Sequence, residues 1–148
     1  MKTKLKYLLI TLLTIMLYSC EETKPKQSDF IGNWKSSDNA SIKLNKNGTC
    51  ILKGVDHYKI SSFPKNKNRE LNAEGTWQFT ENIESGIVDN IDNGITITYN
   101  LPEGAKGEIV FYISGQGING NNPPWNIFIW EGDPDEMMKY EFIKINEQ

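Results

Sequence analysis

The chain has 148 residues, 38% of them hydrophobic and 24% charged, with 16 basic against 19 acidic side chains and a formal net charge of −3. That length suits one domain, and the acidic balance argues against nucleic acid as a partner. One histidine and two cysteines cannot supply the usual ligand set of a zinc site, and no cofactor is expected.

Lys2, Lys4 and Lys6 precede an apolar run from Tyr7 to Tyr18 broken only by Thr11 and Thr14. A membrane-spanning helix needs about 20 apolar residues. This shorter run behind a basic start therefore reads as an export signal that is removed. The stretch Leu17-Tyr18-Ser19-Cys20 resembles the lipobox of bacterial lipoproteins, with leucine three residues before the cysteine and a small residue just before it. The resemblance implies that residues 1–19 are a lipoprotein signal peptide. It also implies that Cys20 carries diacylglycerol on its thiol, becomes the new N-terminus and is usually acylated again. Several chains matter, because each buried CH₂ contributes roughly 0.8 kcal/mol and one chain alone holds only reversibly. Glu21-Glu22 resembles the acidic tract that sends some Bacteroidetes lipoproteins to the outer face of the outer membrane. The expected location is the bacterial cell envelope, lipid-anchored at the outer membrane.

Residues 20–29 are expected to be the lipidated cysteine and a flexible tether, since Glu21 to Asp29 is polar, contains Pro25 and has no apolar residue. The folded body is then residues 30–148. Its charge is uneven: Phe30 to Arg69 holds eight basic residues against two acids, and Glu70 to Gln148 three against fourteen. Lys65 to Arg69 is the densest basic stretch and reads as a solvated loop. With Cys20 lipidated, Cys50 has no partner for an intramolecular disulfide, and its apolar strand setting reads as a buried small hydrophobe.

Apolar residues alternate with period two along the body, as in Ile95-Thr96-Ile97-Thr98-Tyr99 and Ile109-Val110-Phe111-Tyr112-Ile113. The pattern predicts about eight strands, near residues 40–45, 48–54, 56–61, 70–80, 84–90, 94–100, 107–114, 125–131 and 137–146, with one or two continuous or spurious. Asn47-Gly48 and Asn93-Gly94 read as type I′ hairpin dipeptides. Further turns are expected at residues 66–68, 102–107 and 132–135. Helix is expected in the leader and as a turn around residues 29–33. Short antiparallel strands expose edges unless the sheet closes, so the fold class is all-β, a small meander barrel.

Gly32-Asn33-Trp34, echoed by Gly75-Thr76-Trp77, resembles the Gly-x-Trp of small lipocalin-like domains of bacterial lipoproteins. In that family the motif opens the first strand and lays the indole across the closed end of the barrel. True lipocalins also stack an arginine from near the C-terminus on that indole, and this chain departs from them there. No arginine stands there, and Lys144 is the basic candidate.

Gly115 to Gly120 matches G-x-G-x-x-G, yet Asn121-Asn122-Pro123-Pro124 follows where a dinucleotide site needs a helix. It marks a loop between strands. His57 is the sole histidine and lacks a nucleophile setting, so no catalytic residue is assigned. The run Trp130-Glu131-Gly132-Asp133-Pro134-Asp135-Glu136 lacks the glycine and distal glutamate of an EF-hand and reads as an acidic turn. Trp125 and Trp130 lie on opposite phases of one strand, so one of them is expected to face outward near the glycine loop. Trp125, Trp130, Glu131, Asp133 and Asp135 are accordingly the candidate contact residues. The expected function is a non-enzymatic, membrane-anchored lipoprotein that binds a protein partner, of immunity or inhibitor type. The alternative is a carrier of a small apolar ligand in the barrel. An open apolar interior favours the carrier, and a filled interior with an exposed acidic patch favours protein binding.

Overall fold

The computed structural model describes residues 23–61, 70–83, 93–101, 104–116 and 123–145. After a helical turn α1 (Gln27–Phe30), eight strands follow: β1 (Gly32–Ser36), β2 (Ser41–Leu44), β3 (Thr49–Asp56), β4 (Glu70–Glu81), β5 (Asn93–Asn100), β6 (Lys106–Ile113), β7 (Ile127–Trp130) and β8 (Lys139–Ile145). A second helical turn, α2 (His57–Ile60), follows β3. Each strand pairs antiparallel with the next and β8 returns to β1, giving a closed barrel in sequence order. The expected meander of eight strands is the architecture found.

Strand alternation sorts the side chains between inside and outside. Across β1 and β2, Trp34 pairs with Ile42 while Lys35 pairs with Ser41. The inward set includes Trp34, Ile42, Leu44, Leu52, Ile95, Ile97, Phe111, Ile127 and Phe142, each no more than 1% exposed. Cys50 belongs to this set, and burial pushes its thiol up to about 11. The Tyr99 ring fills the space that Gly107 leaves beside it: a Cβ there would touch the ring carbons. The interior is a packed core of side chains.

Three hairpins at the ends of the barrel share one design. In residues 36–40, 45–49 and 101–105 the fourth residue (Asn39, Gly48, Gly104) has φ of 72°, 81° and 81°. Its N–H donates to the carbonyl of the first residue at 3.2, 3.0 and 2.9 Å. The first residue's N–H donates in turn to the carbonyl of the fifth at 3.0, 2.9 and 2.8 Å. One left-handed residue at the fourth position suffices for this loop. Asn47-Gly48 thus forms its hairpin with positive φ at Gly48 alone and is not the type I′ turn expected.

Asn93-Gly94 is no turn at all. Both residues open β5, paired with Glu81 and Thr80. A Cβ on Gly94 would collide with Ile83 and the Phe111 carbonyl, so the glycine serves close packing. The strand expected at 56–61 is replaced by α2: the Asp56 carboxylate accepts from the Tyr58 N–H at 3.0 Å and ends β3. The strand expected at 84–90 and the turn at 66–68 lie outside the described residues. The turn at 132–135 is found; of the one expected at 102–107, residues 104 and 105 are described and precede β6 from Lys106.

One end of the barrel is closed by α1. Phe30 stacks on Trp34 at 5.9 Å between ring centroids and on Phe79 at 5.8 Å. The Trp34 Nε1–H donates to the Phe30 carbonyl at 2.9 Å. Lys144 reaches inward from β8, with Nζ 5.8 Å from the Trp34 ring and donating to the Asp29 carbonyl at 2.7 Å. The second Gly-x-Trp works at the same end, where Trp77 Nε1–H donates to the Asn45 carbonyl at 2.8 Å. Gly75 lets the Thr98 backbone approach closer than any Cβ allows. Order therefore begins earlier in the chain than Phe30. Pro25 is buried and α1 is held by Lys144, so the apolar contact missing from the sequence of this segment is supplied by the barrel end.

Candidate functional site

The opposite end of the barrel carries the polar groups. There the β1–β2 loop, the end of β3 with α2, and the β7–β8 loop come together around Lys59. Its Nζ lies 2.9 Å from Glu131 Oε1, 3.7 Å from Asp38 Oδ2 and 4.4 Å from the centre of the Tyr140 ring. The Tyr140 hydroxyl donates to Asp38 Oδ1 at 3.3 Å and accepts the Asp56 N–H at 3.4 Å. Asp38 also accepts from the Ser36 hydroxyl and from the Ala40 N–H at 3.3 Å.

These contacts set the charges. Burial opposes ionisation of Asp38, but the Ser36 and Ala40 hydrogen bonds and the Lys59 charge outweigh it and hold its carboxyl below 3.8. Burial likewise opposes the charge on Lys59, and the bond and charge of Glu131, then Asp38 and Asp56, raise its pKa nonetheless. Desolvation pushes Tyr140 up to about 12, so its proton stays in place at neutral pH. A lysine held between carboxylates beside a protonated tyrosine is a staple. It ties α2 to two loops and fixes the rim of this barrel end.

The β7–β8 loop is closed by hydrogen bonds of its own backbone. The Glu131 N–H donates to the Met138 carbonyl at 2.9 Å, Asp133 caps the short 3-10 turn Pro134–Glu136 through the Asp135 N–H at 3.0 Å, and Gly132 and Met137 take φ of 72° and 56°. Asp133, Asp135 and Glu136 point to solvent. Beside them Met137 and Met138 are 69% and 49% exposed, and Tyr58 on α2 is 55% exposed. This rim of carboxylates and large apolar side chains was only half visible in sequence. Met137 and Met138 fell in a predicted strand, as did Tyr58, and alternation does not single out any of the three.

The five candidate residues do not form one site. Trp125 is 7% exposed and belongs to the core. Trp130 faces outward as the alternation requires, but at the rim end of β7, away from the loop after β6. It is half-buried, with Phe128 at 5.0 Å edge-on and Lys139 Nζ at 4.9 Å. Glu131 is engaged by Lys59, and Asp133 and Asp135 are exposed on the rim, with Asp133 accepting the Asp135 N–H. Of the glycine motif, Gly115 and Gln116 are described, and the Gln116 amide is bound to Asn93 at 2.9 and 3.1 Å. Cys20 and residues 1–22 lie outside the described residues.

Among the described residues, His57 Nδ1 and Trp130 Nε1 are buried without a hydrogen-bond partner. Among those residues too, no group of three or more His, Cys, Asp or Glu is placed to hold a metal ion, and no helix is long and apolar enough to cross a membrane. Comparison with protein-family models, with curated proteins and with solved structures finds no match.

Proposed function

We propose that this is a non-enzymatic, lipocalin-like lipoprotein of the bacterial envelope, anchored through Cys20 at the outer membrane, that binds a protein partner with the rim around Asp133, Asp135, Glu136, Met137, Met138 and Tyr58. The observation that carries the reading is the exposure of Met137, Met138 and Tyr58 together with exposed carboxylates on a loop and a helical turn that Lys59 ties together. Preorganised apolar anchors ringed by charge suit a protein surface of basic and apolar character. An inhibitor or immunity role fits a small rigid body that presents one loop. The carrier alternative loses ground because the interior is filled by Trp34, Tyr99, Phe111 and Phe142.

Capture from native envelopes, with the wild-type chain and with Met137→Glu/Asp135→Lys as paired baits, tests the partner. A protein enriched by the first bait and lost with the second supports the rim. Equal enrichment by both, or an apolar lipid co-purifying in place of a protein, overturns it. The mass of the mature N-terminus, with Cys20→Ser as control, tests the anchor separately.

A further inference from the structure

The wall formed by β1, β2 and β3 has a different character from the rest of the barrel. Its outward positions are Asn33, Lys35, Ser41, Lys43, Thr49, Ile51 and Lys53, with no carboxylate among them. Lys35 pairs with Ser41, Ser41 with Lys53, and Lys43 with both Asn33 and Ile51. At about 4.8 Å between strands and about 3.3 Å per residue, the three ammonium stems rise from points about 8 to 10 Å apart. That spacing is comparable to the Debye length, about 8 Å at physiological salt. All three lysines are exposed, and the ion pairs among the described residues involve Lys59 alone. On the flanking strands, Glu74 of β4 pairs with Ile51, and Ile143 of β8 pairs with Lys35.

Two further observations identify what covers this wall. Ile143 and Ile145 on β8 stand directly beside Lys35 and Asn33 and are 56% and 46% exposed, so apolar side chains border the lysines. The second concerns reach. Pro25 is buried and α1 is bonded to the barrel, so only five residues, Cys20 to Lys24, separate the proposed anchor from the first buried residue. Five residues span at most about 17 Å. A body on so short a leash stays within reach of the headgroup layer, and the leash leaves from the end of the barrel where β1 begins.

We propose that the β1–β3 wall is a membrane-docking face, on which Lys35, Lys43 and Lys53 contact anionic lipid headgroups while Ile143 and Ile145 rest at the headgroup boundary. This rests on the Cys20 anchor proposed above. Each lysine at an anionic surface is worth about a fivefold gain in local binding. The acidic remainder of the chain is repelled by the same surface, so the field orients the barrel as well as attracting one wall. The rim at the far end then faces along the membrane plane, toward partners held in the same bilayer.

The test supplies the anchor chemically. The mature chain from Cys20 is coupled through that thiol to maleimide-bearing vesicles, Cys50 being buried and unreactive. Lysine acylation is then followed residue by residue on phosphatidylcholine vesicles and on vesicles rich in phosphatidylglycerol. The expected result is protection of Lys35, Lys43 and Lys53 by about fivefold or more on the anionic vesicles. That protection should be reversed by high salt, with Lys106 and Lys139 unchanged. In Lys35→Glu/Lys53→Glu the protection of Lys43 disappears. Equal reactivity on both vesicles overturns the proposal. So does protection that follows protein density instead of anionic lipid, which assigns the wall to a second copy of the chain. Native lipidation is read by mass alone, so failure of the docking face and failure of the anchor are separate outcomes.

Discussion

Lys59→Met removes the charge at the centre of the rim while keeping an unbranched stem against Tyr140. The Glu131 pair, at 2.9 Å with side chains 28–29% exposed, is worth about 0.5–1 kcal/mol, and the longer pair to the more exposed Asp38 only a few tenths after screening. The contact with the Tyr140 ring contributes about 0.5 kcal/mol. The sum is a loss of about 1.5 kcal/mol, or about 5 °C in Tm for a domain of this size. The sign with pH follows from the two shifted groups. Asp38, depressed below 3.8, contributes stability above that value and loses it as pH falls through its folded pKa. Lys59, raised above 10.5, contributes below that value and loses it as pH rises through its folded pKa. The gap between wild type and variant is therefore full from about pH 5 to about pH 9 and closes toward either extreme. Urea unfolding followed by tryptophan fluorescence measures it. An equal gap at about pH 2.5 and pH 7 would refute the electrostatic account and leave only packing.

Lys144→Met should cost about 1–2 kcal/mol, because the Asp29 carbonyl loses a charge-assisted donor. Amide exchange should rise at Phe30 and Trp34 before it rises elsewhere, and unchanged exchange there would show that α1 does not depend on this bond. Gly75→Ala forces a Cβ into the Thr98 carbonyl and should cost about 3 kcal/mol or more, read as a lowered urea midpoint. The Cys50 thiol, pushed up to about 11 and 1% exposed, should resist thiol reagents in the folded Cys20→Ser chain at neutral pH and react once urea unfolds it.

The barrel was legible because its pattern is strictly local. Alternation in β5 and β6 reports which residues face in, and the excess of strands over helix leaves closure as the way to hide the edges. Turn chemistry was legible only in kind. Asn47-Gly48 and Asn93-Gly94 are the same dipeptide, yet one makes a hairpin and the other lies within β5. The difference is the neighbour at Gly94, the side chain of Ile83 and the Phe111 carbonyl, which no local reading contains. At residues 56–61 a single capping carboxylate on Asp56 outweighs the strand pattern. Lys144 beside Trp34 was visible only as the one basic candidate near the C-terminus, where the resemblance asks for an arginine. The rim was not, since Tyr58, Met137 and Met138 become exposed through α2 and through the left-handed turn at Met137.

The charge segregation has a topological cause. In a meander, neighbours on the wall are neighbours in sequence, so the strands of the basic first part and of the acidic second part form two walls that pair at the β3–β4 and β8–β1 seams, while Lys59 and Glu131 join the two parts at the rim. Neither seam neutralises them: Ile51 faces Glu74 and Asp56 faces Glu70 on one side, and Lys35 faces Ile143 on the other. Ile143→Glu isolates the consequence. It places a carboxylate directly across from Lys35, which should raise stability by about 0.3–0.5 kcal/mol, with little burial lost from a side chain already 56% exposed. The same substitution should weaken protection of Lys35 on anionic vesicles. A core-packing role for Ile143 requires the opposite, a loss of stability with unchanged protection, so one variant read two ways decides whether this wall is shaped for the fold or for the membrane.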